Sequence, residues 1–242
     1  MFSYTLYQYK KGNDVYDDAA KNVIIAENVR DEVEEVEEEK DKTYHMEKIA
    51  SLKLDWSKFP KNVVGWIQVP GIDVLNYPVV QSEDNEYYLK HLYDGTANSN
   101  GSIFVDCRIE GFNERHTILH GHNMKSGRMF AQIKKYKDQS FADEHRYIYI
   151  GLPNGETKIY YVFAAATADA RIDLDPNYTA YNTMIDDEWV QTTIRKSWIS
   201  TGITIPSGVN VLTLSTCTSG SDEYERFVVH AVEVANRRLV QD

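Results

Sequence analysis

A thiol, an imidazole and a guanidinium stand at the ends of strand-like runs in this chain, and together they have the chemistry for acyl transfer. The run Thr213-Leu214-Ser215-Thr216-Cys217 is β-prone and ends in the thiol, and Arg226 heads the next apolar run. Residues 209–216 and 227–234 are rich in β-branched side chains, and the polar stretch 218–225 between them contains Gly220, as a hairpin connection requires. Opposite residues in an antiparallel ladder sit roughly 4.5–5.5 Å apart, so Cys217 and Arg226 reach one small site if both face the same way. Upstream, an apolar run meets Gly121, where glycine permits a sharp turn, and His122 emerges at the strand end. A thiolate attacks carbonyls, an imidazole moves protons near neutrality, and a guanidinium stays charged and can stabilise an oxyanion. Taken alone, these residues leave three readings open. They fit a cysteine acyl-transfer enzyme or peptidase, or an exported β-barrel binding module in which all three are structural. They also fit a zinc site built on His120 and His122, with Cys217, His230 or Asp106 as a further ligand.

The surrounding motifs narrow this choice. The Thr-Leu-Ser-Thr-Cys run, Arg226 on the next strand and Gly121-His122-Asn123-Met124 resemble the active site of a sortase. Three other stretches are similar to class B members: Gly65-Trp66-Ile67-Gln68-Val69-Pro70, Tyr77-Pro78-Val79-Val80-Gln81 followed by Asn85-Glu86-Tyr87-Tyr88-Leu89, and Gly101-Ser102-Ile103-Phe104-Val105-Asp106. The resemblance runs in order from about residue 55 to the C-terminus. It implies a cysteine transpeptidase of Gram-positive bacteria with catalytic His122, Cys217 and Arg226, and with Asn85, Leu89 and Ser215 lining a peptide groove. It implies two partners, the C-terminal sorting signal of an exported protein, cleaved after Thr, and an amine of a peptidoglycan precursor. No cofactor and no metal are implied. An aromatic residue often stands in the family where this chain has His120, so no role is carried over to that position. The resemblance also implies an enzyme on the outer face of the cell membrane, with an N-terminal anchor ahead of Met1.

Composition agrees with a globular body; with no apolar span and no visible signal peptide the sequence by itself reads as cytoplasmic, and export is what the resemblance implies. The formal charge of −11 comes from 26 basic and 37 acidic residues, which speaks against a nucleic-acid partner. Much of the excess lies in residues 31–41 (DEVEEVEEEKD), read as a solvated face or linker. The two cysteines, Cys107 and Cys217, are too few for a disulfide framework, and Cys107 reads as a small buried hydrophobe. His45, His91, His116 and His145 sit in polar surroundings and read as exposed, while His230 reads as a satisfied or surface histidine.

The expected fold is mainly β: a sortase-like closed barrel of about eight strands with N-terminal helices and a long helix inserted before the Cys217 strand. Strands are predicted near 66–69, 74–80, 102–106, 116–120, 146–150, 158–166, 209–216 and 227–234. Apolar residues spaced by three or four predict an amphipathic helix over 13–40, and a short one follows near 44–52. Residues 129–136 and 184–199 also read as helices, with Trp189 and Trp198 fastening the second to the barrel. The expected division is an N-terminal helical and acidic segment, 1–54, and a catalytic barrel, 55–242.

Overall fold

The computed structural model describes residues 2–26, 51–171, 185–218 and 222–238. Eight strands close a barrel in the spatial order β10-β8-β7-β3-β4-β5-β6-β9. In chain order these are β3 (Val63–Gln68), β4 (Asn76–Val80), β5 (Ile103–Val105), β6 (His116–His120), β7 (Tyr147–Gly151), β8 (Glu156–Asp169), β9 (Val211–Cys217) and β10 (Glu225–Arg238). All eight predicted barrel strands are present, β6 with its predicted bounds and the other seven with shifted ends. Two neighbours run parallel, β4 with β5 and β6 with β9, and the others are antiparallel.

Alternation along the strands sorts side chains between the barrel core and its outer face. Leu212 and Leu214 of β9 and Phe227, Val229 and Ala231 of β10 join the main core. Their sequence neighbours Val211, Thr213, Ser215 and Cys217 share the other face with Arg226, Val228, His230 and Val232, which the β9–β10 register places opposite them. Part of that outer face is roofed by α3 (Asp187–Lys196), whose Trp189 and Val190 are buried against Tyr161, Phe163, Val211 and Val232. Asp186 caps this helix by accepting the backbone N–H of Trp189 at 2.8 Å, and Ser197 ends it in extended backbone. The helix is therefore ten residues long, shorter than predicted. Trp189 fastens it, whereas Trp198 lies beyond its end, 43% exposed and stacked on Phe227.

The 129–136 prediction becomes a 3-10 helix, Phe130–Lys137, whose Phe130, Ile133 and Tyr136 enter the main core, followed by α2 (Gln139–Glu144). The N-terminal prediction needs correction. Helix α1 spans Phe2–Ala20 and does not run on to residue 40, because Val23–Ala26 forms β1 and pairs with β2 (Ser51–Leu54). Asn22 donates to the carbonyls of Asp18 and Ala19 and closes the helix there, and the β-branched run Val23-Ile24-Ile25 favours the ladder over another turn. Ser51 and Leu52, predicted helical, belong to β2. Residues 27–50, including the acidic run and the rest of both N-terminal helix predictions, lie outside the described residues.

Candidate active site

Cys217 is the last residue of β9 and is exposed, and Arg226 lies directly opposite it in the β10 register. The parallel β6–β9 ladder brings in the third residue. It pairs His120 with Ser215, and the next residues continue the attachment. Gly121 donates its N–H to the Ser215 carbonyl at 3.1 Å, and Thr216 Oγ1 donates to the Gly121 carbonyl at 2.7 Å. Asn123 Nδ2 donates to the Cys217 carbonyl at 2.9 Å. His122 is therefore held between two residues bonded to the end of the Cys217 strand. Gly121 serves close approach here, since a Cβ on it would lie 2.7 Å from the Phe130 ring.

The His122 ring has a fixed tautomer. Its Nε2 lies 2.8 Å from the Leu89 carbonyl, which only accepts, so Nε2 bears the proton and Nδ1 is the nitrogen available for proton transfer. Leu89 ends the 3-10 turn Tyr87–Leu89, and its side chain packs beside Tyr88 and Phe104. Arg226 Nη1 donates to the carbonyls of Glu223 at 2.5 Å and Glu225 at 3.1 Å. Among the described residues no carboxylate pairs with it: Asp169 and Asp222 are taken by Arg171 instead. Among the described residues, the hydrogen bonds of this guanidinium go to those two carbonyls.

His120 points along the same face and is bound differently. Its Nε2 lies 3.0 Å from Oδ2 of Asp106, a fully buried carboxylate that Arg108 also grips through Nε and Nη2 at 2.9 Å. Burial alone would raise the Asp106 pKa, but the bonds from His120 and Arg108 outweigh it and hold the group well below the usual carboxylate range. Deeper on the outer face, His116 Nε2 lies 2.7 Å from Thr213 Oγ1, itself 2.8 Å from His230 Nδ1, and the edge of Trp189 covers both rings. His116 is fully buried, contrary to its exposed reading; its polar sequence neighbours concealed a side chain that α3 covers. His91 and His145 are partly buried, each bonded through Nδ1 to a backbone carbonyl, and His45 lies outside the described residues.

The predicted groove residues separate. Ser215 lies in register with His120, two residues before Cys217 on one face, and is 1% exposed. Leu89 meets the site through its carbonyl. Asn85 Oδ1 accepts the Cys107 backbone N–H at 2.8 Å, at the far end of the β5–β6 ladder from His122. Cys107 and Cys217 are both free thiols, Cys107 half-buried, not fully buried as expected. No group of three metal-ligating side chains occurs among the described residues. The Leu89 carbonyl, Asn123 and the Asp106 anchor of His120 escaped the sequence reading; a backbone acceptor carries no residue signature, and Asp106 had entered only as a metal ligand.

A family model of the sortase domain matches residues 67–234, a span that contains all three candidate residues. The chain belongs to the sortase family. Sortase B of Listeria monocytogenes is 35% identical over 176 residues, covering 71% of this chain and 69% of the relative. Sortase B of Staphylococcus aureus is 31% identical over 194 residues, covering 78% and 77%. Among solved structures, a Staphylococcus aureus sortase B–substrate complex superposes with a TM-score of 0.64 at 32% identity over 74% of this chain and 82% of the other. Sortase B from B. anthracis in complex with AAEK1 gives 0.68 at 28% identity over 95% and 99%. This sortase is of class B, a cysteine transpeptidase on a closed β-barrel, and sortases work in association with the cell surface.

Proposed function

We propose that Cys217, His122 and Arg226 form the catalytic set of this sortase, and that it joins a sorting-signal peptide to an amine of a peptidoglycan precursor. One observation carries the assignment: Arg226 stands opposite Cys217 in the β9–β10 register while Asn123, next to His122, is bonded to the Cys217 carbonyl. His122 Nδ1 takes the Cys217 thiol proton as sulfur attacks the carbonyl of a Thr in the signal. Arg226 turns from the Glu223 and Glu225 carbonyls to the tetrahedral oxyanion. The C–N bond then breaks, His122 passes its proton to the departing amine, and a thioester remains on Cys217. The acceptor amine attacks the thioester, its proton goes to His122, and thiolate departs to be reprotonated. Throughout, the Leu89 carbonyl keeps the Nε2 proton in place and the acid–base work on Nδ1.

Leu89 and Ser215 border the peptide on this reading, and Asn85, whose Oδ1 is committed to Cys107, offers it the Nδ2 donor. An N-terminal anchor ahead of Met1 would hold the enzyme at the outer membrane face; no described helix is itself long and apolar enough to cross a bilayer. The barrel from residue 55 onward is the catalytic part, and residues 1–54 are its membrane-proximal segment.

The test incubates the enzyme and its Cys217→Ala variant with a panel of Thr-containing sorting peptides, with and without an oligoglycine or diaminopimelate-bearing acceptor, and follows peptide and protein masses. Amine-linked product and a transient adduct on Cys217 are expected. Cleaved acid alone, unchanged by the amine, would replace the acceptor reading with hydrolysis, and turnover by Cys217→Ala would sink the assignment.

A further inference from the structure

Helix α1 is far from Cys217 in sequence, yet it is bonded to two segments that adjoin His122. Three side chains join it to the loop ahead of β5. Asn98 Nδ2 donates to the Gln8 carbonyl at 3.0 Å, and the buried Asn100 donates through Nδ2 to Asn13 Oδ1 at 3.0 Å. Tyr16, 2% exposed, donates its hydroxyl to the Gly101 carbonyl at 2.6 Å and lies 2.9 Å from Ser102 Oγ. Burial pushes the Tyr16 phenol well up, so the hydroxyl keeps its proton as a donor. Gly101 is itself wedged into the site. A Cβ on it would lie 3.0 Å from His122 Cδ2 and 2.9 Å from the Leu89 carbonyl oxygen, the acceptor that fixes the His122 tautomer. Gly12 shows how close the docking is. In a helix interior glycine is disfavoured, but a Cβ there would lie 2.5 Å from Asn100 Nδ2.

The second connection reaches the main chain of His122. The Asp17 carboxylate accepts from both terminal nitrogens of Arg128, and Tyr16 packs edge-on against Tyr77 with ring centroids 5.2 Å apart. Tyr77 bonds the Arg128 side chain and accepts the Met129 N–H at 3.2 Å. Met129 has φ 54, the positive-φ position among non-glycine residues described, a conformation that persists only where surrounding contacts enforce it. Phe130, the next residue, donates its N–H to the His122 carbonyl at 3.0 Å.

We propose that α1 is a positioning element for catalysis: Tyr16, through Gly101, and Asp17, through Arg128 and the Met129 turn, clamp His122 between the Leu89 carbonyl and the Cys217 strand. The inference rests on His122 being the acid–base residue. Tyr16 and Asp17 touch neither substrate nor the reacting atoms; they hold in place the segments against which the ring is aimed. Helix α1 then supports the active site without entering it.

The test compares Tyr16→Phe, Gly12→Ala and Asp17→Asn with wild type in steady-state transpeptidation, and reads the His122 ring nitrogens by 15N NMR with His122→Ala for assignment. Each variant is expected to lower kcat about 3- to 10-fold, the effect of one lost or misplaced hydrogen bond, with KM changed less than about twofold. The His122 resonances should move away from the pure Nε2–H tautomer, and Asp17→Glu should recover more activity than Asp17→Asn. Unchanged kcat and unchanged ring resonances in the folded variants would overturn the clamp. Should Tyr16→Phe or Gly12→Ala fail to fold, Asp17→Asn, a change at a half-exposed carboxylate, decides alone. Full turnover by His122→Ala would instead remove the catalytic assignment, while the ring resonances would still report whether α1 holds the imidazole.

Discussion

Replacing Arg226 by Ala separates catalysis from stability, because its side chain has little structural work among the described residues. Among the described residues its hydrogen bonds go to the Glu223 and Glu225 carbonyls at the edge of the hairpin, where water can replace the guanidinium. Losing them should cost about 1 kcal/mol or less, which for a domain of this size lowers Tm by about 2–4 °C. The catalytic loss is of another order. Removing one donor aimed at a developing oxyanion typically costs about 3–4 kcal/mol, so kcat/KM should fall about 100- to 1000-fold. Arg226→Lys keeps a charge but loses the planar fork, and about 10- to 100-fold loss is expected. A quenched fluorescent sorting peptide gives the rates, intact-protein mass gives thioester occupancy, and a thermal melt gives stability. Arg226→Ala turning over within about threefold of wild type would refute the oxyanion role. A melt lowered by more than about 10 °C would refute the claim that the residue is structurally dispensable.

Three other outcomes follow from the same geometry. Iodoacetamide at neutral pH should modify exposed Cys217 well before half-buried Cys107, whose thiol is pushed up by burial and then by the Asp106 charge, and activity should fall in step with the Cys217 adduct in peptide mass maps. The Asp106 carboxylate has a depressed folded-state pKa, so its stabilisation is present above the unfolded value of about 3.9 and is lost as pH falls below it. Asp106→Asn should flatten that acid limb and cost about 1.5–3 kcal/mol at pH 7 in urea titrations, by removing the charged acceptor that His120 and Arg108 share. Burial, and next the neighbouring His116, lowers the His230 pKa to about 3, so the folded state keeps this ring neutral where an unfolded chain would protonate it. Stability should therefore be full above about pH 6.5 and decline from there toward about pH 3; a His230→Gln variant with an unchanged slope over that interval would contradict the assignment.

The barrel was legible because its strands are centred on β-branched or aromatic runs set off by turn residues, a signal local to the strand, although β8 and β10 extend well past those runs to fourteen residues each. The pairing of the Cys217 strand with the Arg226 strand followed from the spacing of two apolar runs around one polar connection, and the Gly-His-Asn-Met segment supplied His122, but the face on which Cys217 and Arg226 stand was settled only by the register. The N-terminal region misled because Val15, Ala19, Val23 and Val33 recur at helical spacing, while the pairing of Val23–Ala26 with Ser51–Leu54 joins segments whose intervening chain gives no sign of it. His116 read as exposed because burial there comes from Trp189 on a distant helix, and no local pattern encodes that. The contacts that aim His122 were illegible for a similar reason. A main-chain acceptor at Leu89 and a tyrosine hydroxyl on α1 act through tertiary approach, and sequence distance hides both.

The parallel pairing of β6 with β9 has a consequence for how this scaffold tolerates change. His122 and Cys217 leave adjacent strands in the same direction, so the chain between them must travel back along the whole barrel, and it does so through β7, β8 and α3. Long crossovers of this kind accept insertions at modest entropic cost, growing only with the logarithm of their length. The stretch between the ladder ends can thus lengthen, shorten or exchange its surface loops while the imidazole and the sulfur keep their spacing.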